Sequence, residues 1–234
     1  MVWLVFGTRP EYLKLLSLYQ ALSKLNLEVV MVFTAQHSSL VHELGSEDYQ
    51  NLDILELEKN LDTLSIPQKL AEILSFLSEK YELARPRYIV AQGDTLTVLA
   101  ASLFSYLSQT PFGHLEAGLR SNDYDEPWPE EYIRTVADID AHHYFCPTLE
   151  DTYNLRNRRG EIHEVGNTSI DNLKLEMQTS TVPSHCDILI TMHRRENHVS
   201  VISNLFQTLN LYSNQRSIKI VWVLHPNPNS QIGL

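Results

Sequence analysis

Short runs of Val, Ile and Phe alternate with longer segments of helical period along most of the chain, and this alternation constrains the fold more than any other feature. Strands that read as continuous apolar runs are buried on both faces, which is the condition of a parallel sheet covered by helices above and below. Strands are expected at 2–6, 28–33, 52–55, 87–92, 111–115, 142–146 and 161–165. Helices fit 11–25, 37–44, 63–81, 95–107, 130–139 and 149–156. Right-handed crossovers then put every strand's carboxyl end on one edge, where open α/β sheets bind their ligands. The expected class is α/β, a Rossmann-like doubly wound parallel sheet.

The pattern breaks near residue 166. Gly166-Asn167 ends a strand, a helix over 169–177 follows, and 178–184 is polar with Pro183. A new β-α-β begins at 187–192 and continues through 199–211 to 218–224. Sheets commonly have about five or six strands, so two strands and one helix leave an apolar face uncovered. The expectation is a first domain over 1–166 and an incomplete second Rossmann-like domain over 167–234, which suits a chain of 234 residues.

A net charge of −11 argues against nucleic-acid binding through a broad basic face, although a local basic pocket stays open. Cys146 and Cys186 sit in apolar strand-like runs and make neither a disulfide framework nor a CxxC site, so reduced thiols are expected. The apolar run 2–6 is too short for a signal segment or a membrane span, which makes the cytosol the default compartment and a membrane no partner. Among ten histidines there is no HExxH, and His142-His143 lies in an apolar strand; no metal is assigned.

Five constellations carry chemistry. Phe6-Gly7-Thr8-Arg9-Pro10-Glu11 follows the first strand, with Lys14 one turn on. Gly7 suits a tight strand-to-helix turn and Pro10 a first helical position, while Arg9 and Lys14 add charge for a diphosphate at the helix N-terminus. An ordinary helix start with solvated cations reads equally well. Gln92-Gly93-Asp94-Thr95 opens another helix, and Asp94 alone reads as its cap. His114-Leu115-Glu116-Ala117-Gly118-Leu119-Arg120 brings a carboxylate, a guanidinium and an imidazole to the same edge, with a Glu116–Arg120 ion pair as the structural alternative.

Pro127-Trp128-Pro129-Glu130-Glu131 ends a loop at a helix start, where Glu130 and Glu131 complement the macrodipole and Arg134 follows one turn later. Asp94, Glu116 and Glu130 thus converge on one edge. Carboxylates crowded together and partly shut off from water suit proton transfer near neutrality, including transfer to and from carbon. Thr191-Met192-His193-Arg194-Arg195-Glu196-Asn197 would present cationic groups to a nucleotide diphosphate in a cleft between the two segments, or form a solvated basic loop.

In this order, GTRPE, AQH, QGDT, HLEAGLR, PWPEE, GNTSID, HRREN and HPNPN resemble the non-hydrolysing UDP-N-acetylglucosamine 2-epimerases over nearly the whole chain. The resemblance implies a two-domain glycosyltransferase-B-like fold with the second domain cut short, and inversion at sugar carbon 2 to give UDP-N-acetylmannosamine. It implies anti elimination of UDP to 2-acetamidoglucal followed by re-addition, with no cofactor. By motif, Asp94, Glu116 and Glu130 look like the acid and base carboxylates, in an unassigned order. His193 looks like a support for the departing diphosphate, with Arg9, Lys14, Arg120 and Arg194 as anion contacts and Glu131 and Arg134 as groups that hold the carboxylates. A UDP-sugar is the implied partner, and a homodimer is implied for the full-length chain.

Three departures stand against the pattern. The Gly-rich loop and acidic residue that the family places after HPNPN are not in this sequence. Gln36-His37 is followed by Ser38-Ser39, so an activating second substrate site is not expected, and Tyr132-Ile133 stands after PWPEE where the family commonly has Asn and Arg. Two other functions stay open: a hydrolysing relative that releases free N-acetylmannosamine, and a nucleotide-sugar-binding remnant without turnover.

Overall fold

The computed structural model describes residues 1–36, 52–179, 186–191, 199–216 and 218–223. Its first compact unit, Met1–Thr179, contains a seven-stranded parallel sheet. In chain order the elements are β1 (Val2–Phe6), α1 (Arg9–Lys24), β2 (Val29–Phe33), β3 (Ile54–Glu56), α2 (Ile66–Leu83), β4 (Tyr88–Gln92), α3 (Leu96–Ser108), β5 (Phe112–Leu115), α4 (Glu130–Ala137), β6 (His143–Cys146), α5 (Leu149–Asn154), β7 (Glu161–Glu164) and α6 (Thr168–Thr179). The expected helix over 37–44 lies outside the described residues. All seven expected strands of this unit are present. The expected helix over 63–81 starts instead at Ile66, since Ser65 flanks it and Gln68 Oε1 accepts from both the Ser65 N–H and hydroxyl.

The strand order β3-β2-β1-β4-β5-β6-β7 reverses direction between β1 and β4. At that point the loops leaving two neighbouring strands turn to opposite faces, and a crevice opens beyond the carboxyl ends. Alternate residues of the central strands feed two cores. On one face Trp3, Val5, Val32 and Ala91 meet Phe76 and Leu77 of α2 and Val98 and Phe104 of α3; on the other, Leu4, Phe6, Met31 and Val90 meet Tyr12 and Leu15 of α1. Each fully buried side chain of this size contributes about 1.5–3 kcal/mol, which makes the sheet a rigid platform for its loops.

The compact unit runs past Gly166, where the sequence places the boundary, because α6 lies against α1. In the second unit, Ser180–Leu234, the described elements are β8 (Ile188–Thr191), α7 (Val199–Arg216) and β9 (Ile220–Val223), with β8 and β9 paired in parallel as a β-α-β. Cys146 is buried and Cys186 half-buried, and both are free thiols. No helix among the described residues is long and apolar enough to cross a membrane.

Candidate active site

Two adjoining cavities, of about 370 and 350 Å³, open at the switch point and share Thr8, Asp94 and Thr95 in their walls. Glu130 lines the first, and Lys14, Gln92 and Glu116 line the second. The three carboxylates expected from sequence therefore line two adjoining cavities, with Asp94 in the wall of both. A larger cavity, of about 470 Å³, lies elsewhere beside Leu103, Tyr106 and Ile139. Volume does not locate chemistry here: the convergent carboxylates mark the smaller pair.

Each carboxylate is held differently. Glu116 follows β5 in the left-handed region at φ 63°, a conformation that costs a non-glycine residue about 1–2 kcal/mol. Its buried carboxylate accepts from Lys14 Nζ at 2.9 and 3.0 Å, from Asn167 Nδ2 at 2.8 Å and from Gln92 Nε2. These donors offset the strain and fix the direction of the side chain. Asp94 pairs with Arg134, whose Nη1 also lies 3.4 Å from Glu131 Oε2. Glu130 Oε2 is buried and has no hydrogen-bond partner. A buried acceptor left unsatisfied costs about 1–3 kcal/mol, and of the three carboxylates Glu130 is the one with such an oxygen.

Glu131 braces the loop ahead of α4. It is buried and accepts from the Ser121 N–H at 2.8 Å, the Ser121 hydroxyl at 3.0 Å and the Asn122 N–H at 3.3 Å. Burial alone would raise its pKa, but those hydrogen bonds and the Arg134 guanidinium hold it below the usual carboxylate range.

Arg120 does not pair with Glu116, as the sequence allowed. Its Nη2 lies 2.7 Å from Asp138 Oδ2 and its Nη1 donates to the Leu119 carbonyl, because the chain turns away from Glu116 at Gly118, which has φ +84°. Asp138, wholly buried, also takes the Gly118 N–H at 3.1 Å and His114 Nδ1 at 2.7 Å, while His114 Nε2 lies 2.8 Å from the Gly93 carbonyl. Both neighbours of the imidazole are acceptors, so both ring nitrogens carry protons and His114 is a cation. Burial works against that charge, and Asp138 outweighs it, which raises the His114 pKa. Burial also opposes the Asp138 anion, and His114 and Arg120 overcome it and lower its pKa. The triad fixes the Gly93 peptide that aims Asp94.

Arg9 is exposed in the first turn of α1, and Pro10 is its second residue rather than its first. Gly7 is required by crowding: a Cβ there would lie 2.2 Å from Thr97 Oγ1 and 2.7 Å from Thr34 Oγ1. Its N–H donates to Glu11 Oε2 at 3.0 Å, and that carboxyl also accepts from the Thr8 and Thr95 hydroxyls at 2.7 and 2.6 Å. One buried side chain thus clasps the β1–α1 and β4–α3 loops together. Burial dominates its hydrogen bonds and pushes Glu11 up to about 7. His193 and Arg194 lie outside the described residues.

Sequence reading did not pick Glu11, Gln92, Asp138 or Asn167 as site residues. Glu11, Gln92 and Asn167 stand inside the motifs GTRPE, QGDT and GNTSID, where a neighbouring charge or turn residue gives the stronger signal. Asp138 sits at the end of α4 with no motif to flag it.

The doubly wound parallel sheet, with its polar site at the switch point, defines a Rossmann-like α/β unit. Within that class, residues 20–233 match the family model described as UDP-N-acetylglucosamine 2-epimerase, and the chain belongs to that family. It is 33% identical over 251 residues to the UDP-N-acetylglucosamine 2-epimerase of Escherichia coli K12, covering 96% of this chain and 65% of that protein. To the same enzyme of Neisseria meningitidis it is 32% identical over 250 residues, covering 96% and 66%. A crystal structure of the N. meningitidis UDP-GlcNAc 2-epimerase bound to UDP-GlcNAc superposes with a TM-score of 0.82 at 29% identity, over 98% of this chain and 67% of that one. The chain spans about two thirds of the length of these relatives.

Proposed function

We propose that this chain carries the carboxylate half of a non-hydrolysing 2-epimerase that interconverts UDP-N-acetylglucosamine and UDP-N-acetylmannosamine. The observation that carries this reading is that Asp94, Glu116 and Glu130 line two adjoining cavities at the switch point of the sheet. Inversion at carbon 2 needs a base on one face of the sugar and an acid on the other. One carboxylate takes the carbon-2 proton as the bond from carbon 1 to the UDP oxygen breaks, and the electron pair of the C–H bond becomes the double bond of the glucal. UDP then re-adds at carbon 1, and a carboxylic acid returns a proton to carbon 2 from the opposite side.

Glu130, with its uncommitted oxygen, suits one of these tasks, and Glu116 or Asp94 the other. Lys14 neutralises charge beside Glu116, and Arg134 holds Asp94. Arg9, Arg120, His193 and Arg194 are the proposed anion contacts for the departing UDP. Arg120 reaches this role only if it loosens from Asp138. A cytoplasmic location, a homodimeric state and a second, nucleotide-binding domain that begins after α6 belong to the same proposal.

The experiment is incubation of the chain with UDP-N-acetylglucosamine in deuterated water, read by NMR at carbon 2 of the products. A mixture of UDP-sugars deuterated at carbon 2 is expected. Release of free N-acetylmannosamine would identify a hydrolysing enzyme instead, and unlabelled substrate with measurable UDP binding would identify a binding module.

A further inference from the structure

A second cluster lies on one face of the β6–β7 pair, outside the cavities at the switch point. His143 and Glu161 are the first residues of β6 and β7 and are register partners, and Phe145 is the partner of His163. Because side chains alternate along a strand, His143, Phe145, Glu161 and His163 all rise from one face of the β6–β7 edge. The two imidazoles stack at 5.8 Å, and Phe145 stacks on His163 at 5.7 Å. One nitrogen from each ring and one Glu161 oxygen lie within 4.8 Å of one another.

From this geometry we propose that His143, Glu161 and His163 form a binding site for a divalent transition metal, with Zn²⁺ the best match. The carboxylate lies 3.8 Å from His143 Nε2 and 3.6 Å from His163 Nε2, too far to hydrogen-bond to either ring at the usual 2.7–2.9 Å of a charged pair. Ligand atoms at 2.0–2.2 Å around a tetrahedral ion stand about 3.3 Å apart. Closing that difference takes a rotation of the exposed Glu161 side chain and a turn of the two imidazoles out of their stack, so that both ring lone pairs point at the ion. Two imidazoles and a carboxylate are a donor set that zinc accepts, with water in the remaining position.

An outer contact is already built. Tyr88 Oη lies 2.5 Å from His143 Nδ1. If Nδ1 carries the proton and the phenol oxygen accepts it, the Nε2 lone pair faces Glu161, which is the tautomer a metal needs. His163 is 41% exposed and Glu161 74%, so an ion reaches the site from solvent. Its consequence is structural: the ion ties the edge strand β7 to β6.

The test is titration of the whole chain, freed of metal, with ZnCl₂ by isothermal calorimetry, together with its melting temperature. Expected are one bound Zn²⁺ per chain, no response to MgCl₂, and a rise in melting temperature with zinc. His163→Ala and Glu161→Gln should each raise the zinc Kd at least tenfold and abolish the thermal shift, while Glu164→Gln on the same strand leaves both unchanged. CoCl₂ should give a visible absorption band that His163→Ala removes. No zinc binding, or zinc binding indifferent to His163→Ala and Glu161→Gln, overturns the proposal.

Discussion

Glu11→Gln should make the protein more stable at alkaline pH and change little at acid pH. The Glu11 carboxyl is raised from 4.5 to about 7 by burial, against the pull of its own hydrogen bonds. A carboxyl raised in the folded state keeps its full contribution to stability below pH 4.5 and loses it as pH rises through 7, because the unfolded chain then releases a proton that the folded chain retains. A shift from 4.5 to about 7 is worth about 3 kcal/mol by pH 8, at about 1.4 kcal/mol per unit. Glutamine keeps the acceptor for the Gly7 N–H and Thr8 hydroxyl, and its amide can donate to Thr95. Urea unfolding of both proteins between pH 4 and 9 gives the stability difference at each pH, and other titrating groups cancel in that difference. The expected curve is near zero at pH 4.5 and rises by about 3 kcal/mol in favour of the variant above pH 7. A difference that stays flat with pH, or a variant weaker at pH 8, would refute the argument that burial dominates this carboxyl.

Asp138→Asn leaves the buried His114 cation and the partly exposed Arg120 guanidinium without their shared anion, so a loss of about 3–5 kcal/mol is expected in denaturant unfolding. The stability that His114 supplies should be present below about pH 6.5, decline as pH rises through its raised folded pKa, and be missing in this variant; a pH profile unchanged by the substitution contradicts the triad. Glu130→Gln keeps the shape of the cavity wall and removes a proton-transfer group. Carbon-2 deuterium incorporation should fall about 100-fold or more with the free energy of unfolding within about 0.5 kcal/mol of the parent, and full exchange in this variant would remove Glu130 from the chemistry.

The sheet was legible from sequence because each strand is a short apolar run closed by a turn, and burial on both faces leaves no other use for such runs. Edges were less so. β3 lies two residues later than expected at its start, where Ile54–Glu56 is only half-buried and the apolar signal is weak. The carboxylates Asp94, Glu116 and Glu130 were legible for a related reason: Asp94 follows Gly93, Glu130 follows Pro129 and Glu116 stands two residues before Gly118, so each sits at a strand or loop end that the sequence marks. What topology does not deliver is pairing. Arg120 is four residues from Glu116 yet bonds to Asp138, and Lys14 crosses from α1 to hold Glu116; such choices depend on the left-handed turns at Glu116 and Gly118, which no periodicity reports. The same holds for His143 and His163. They read as two unrelated strand histidines until the register of β6 and β7 sets Glu161 between them, and only the folded edge turns three scattered ligands into one candidate site.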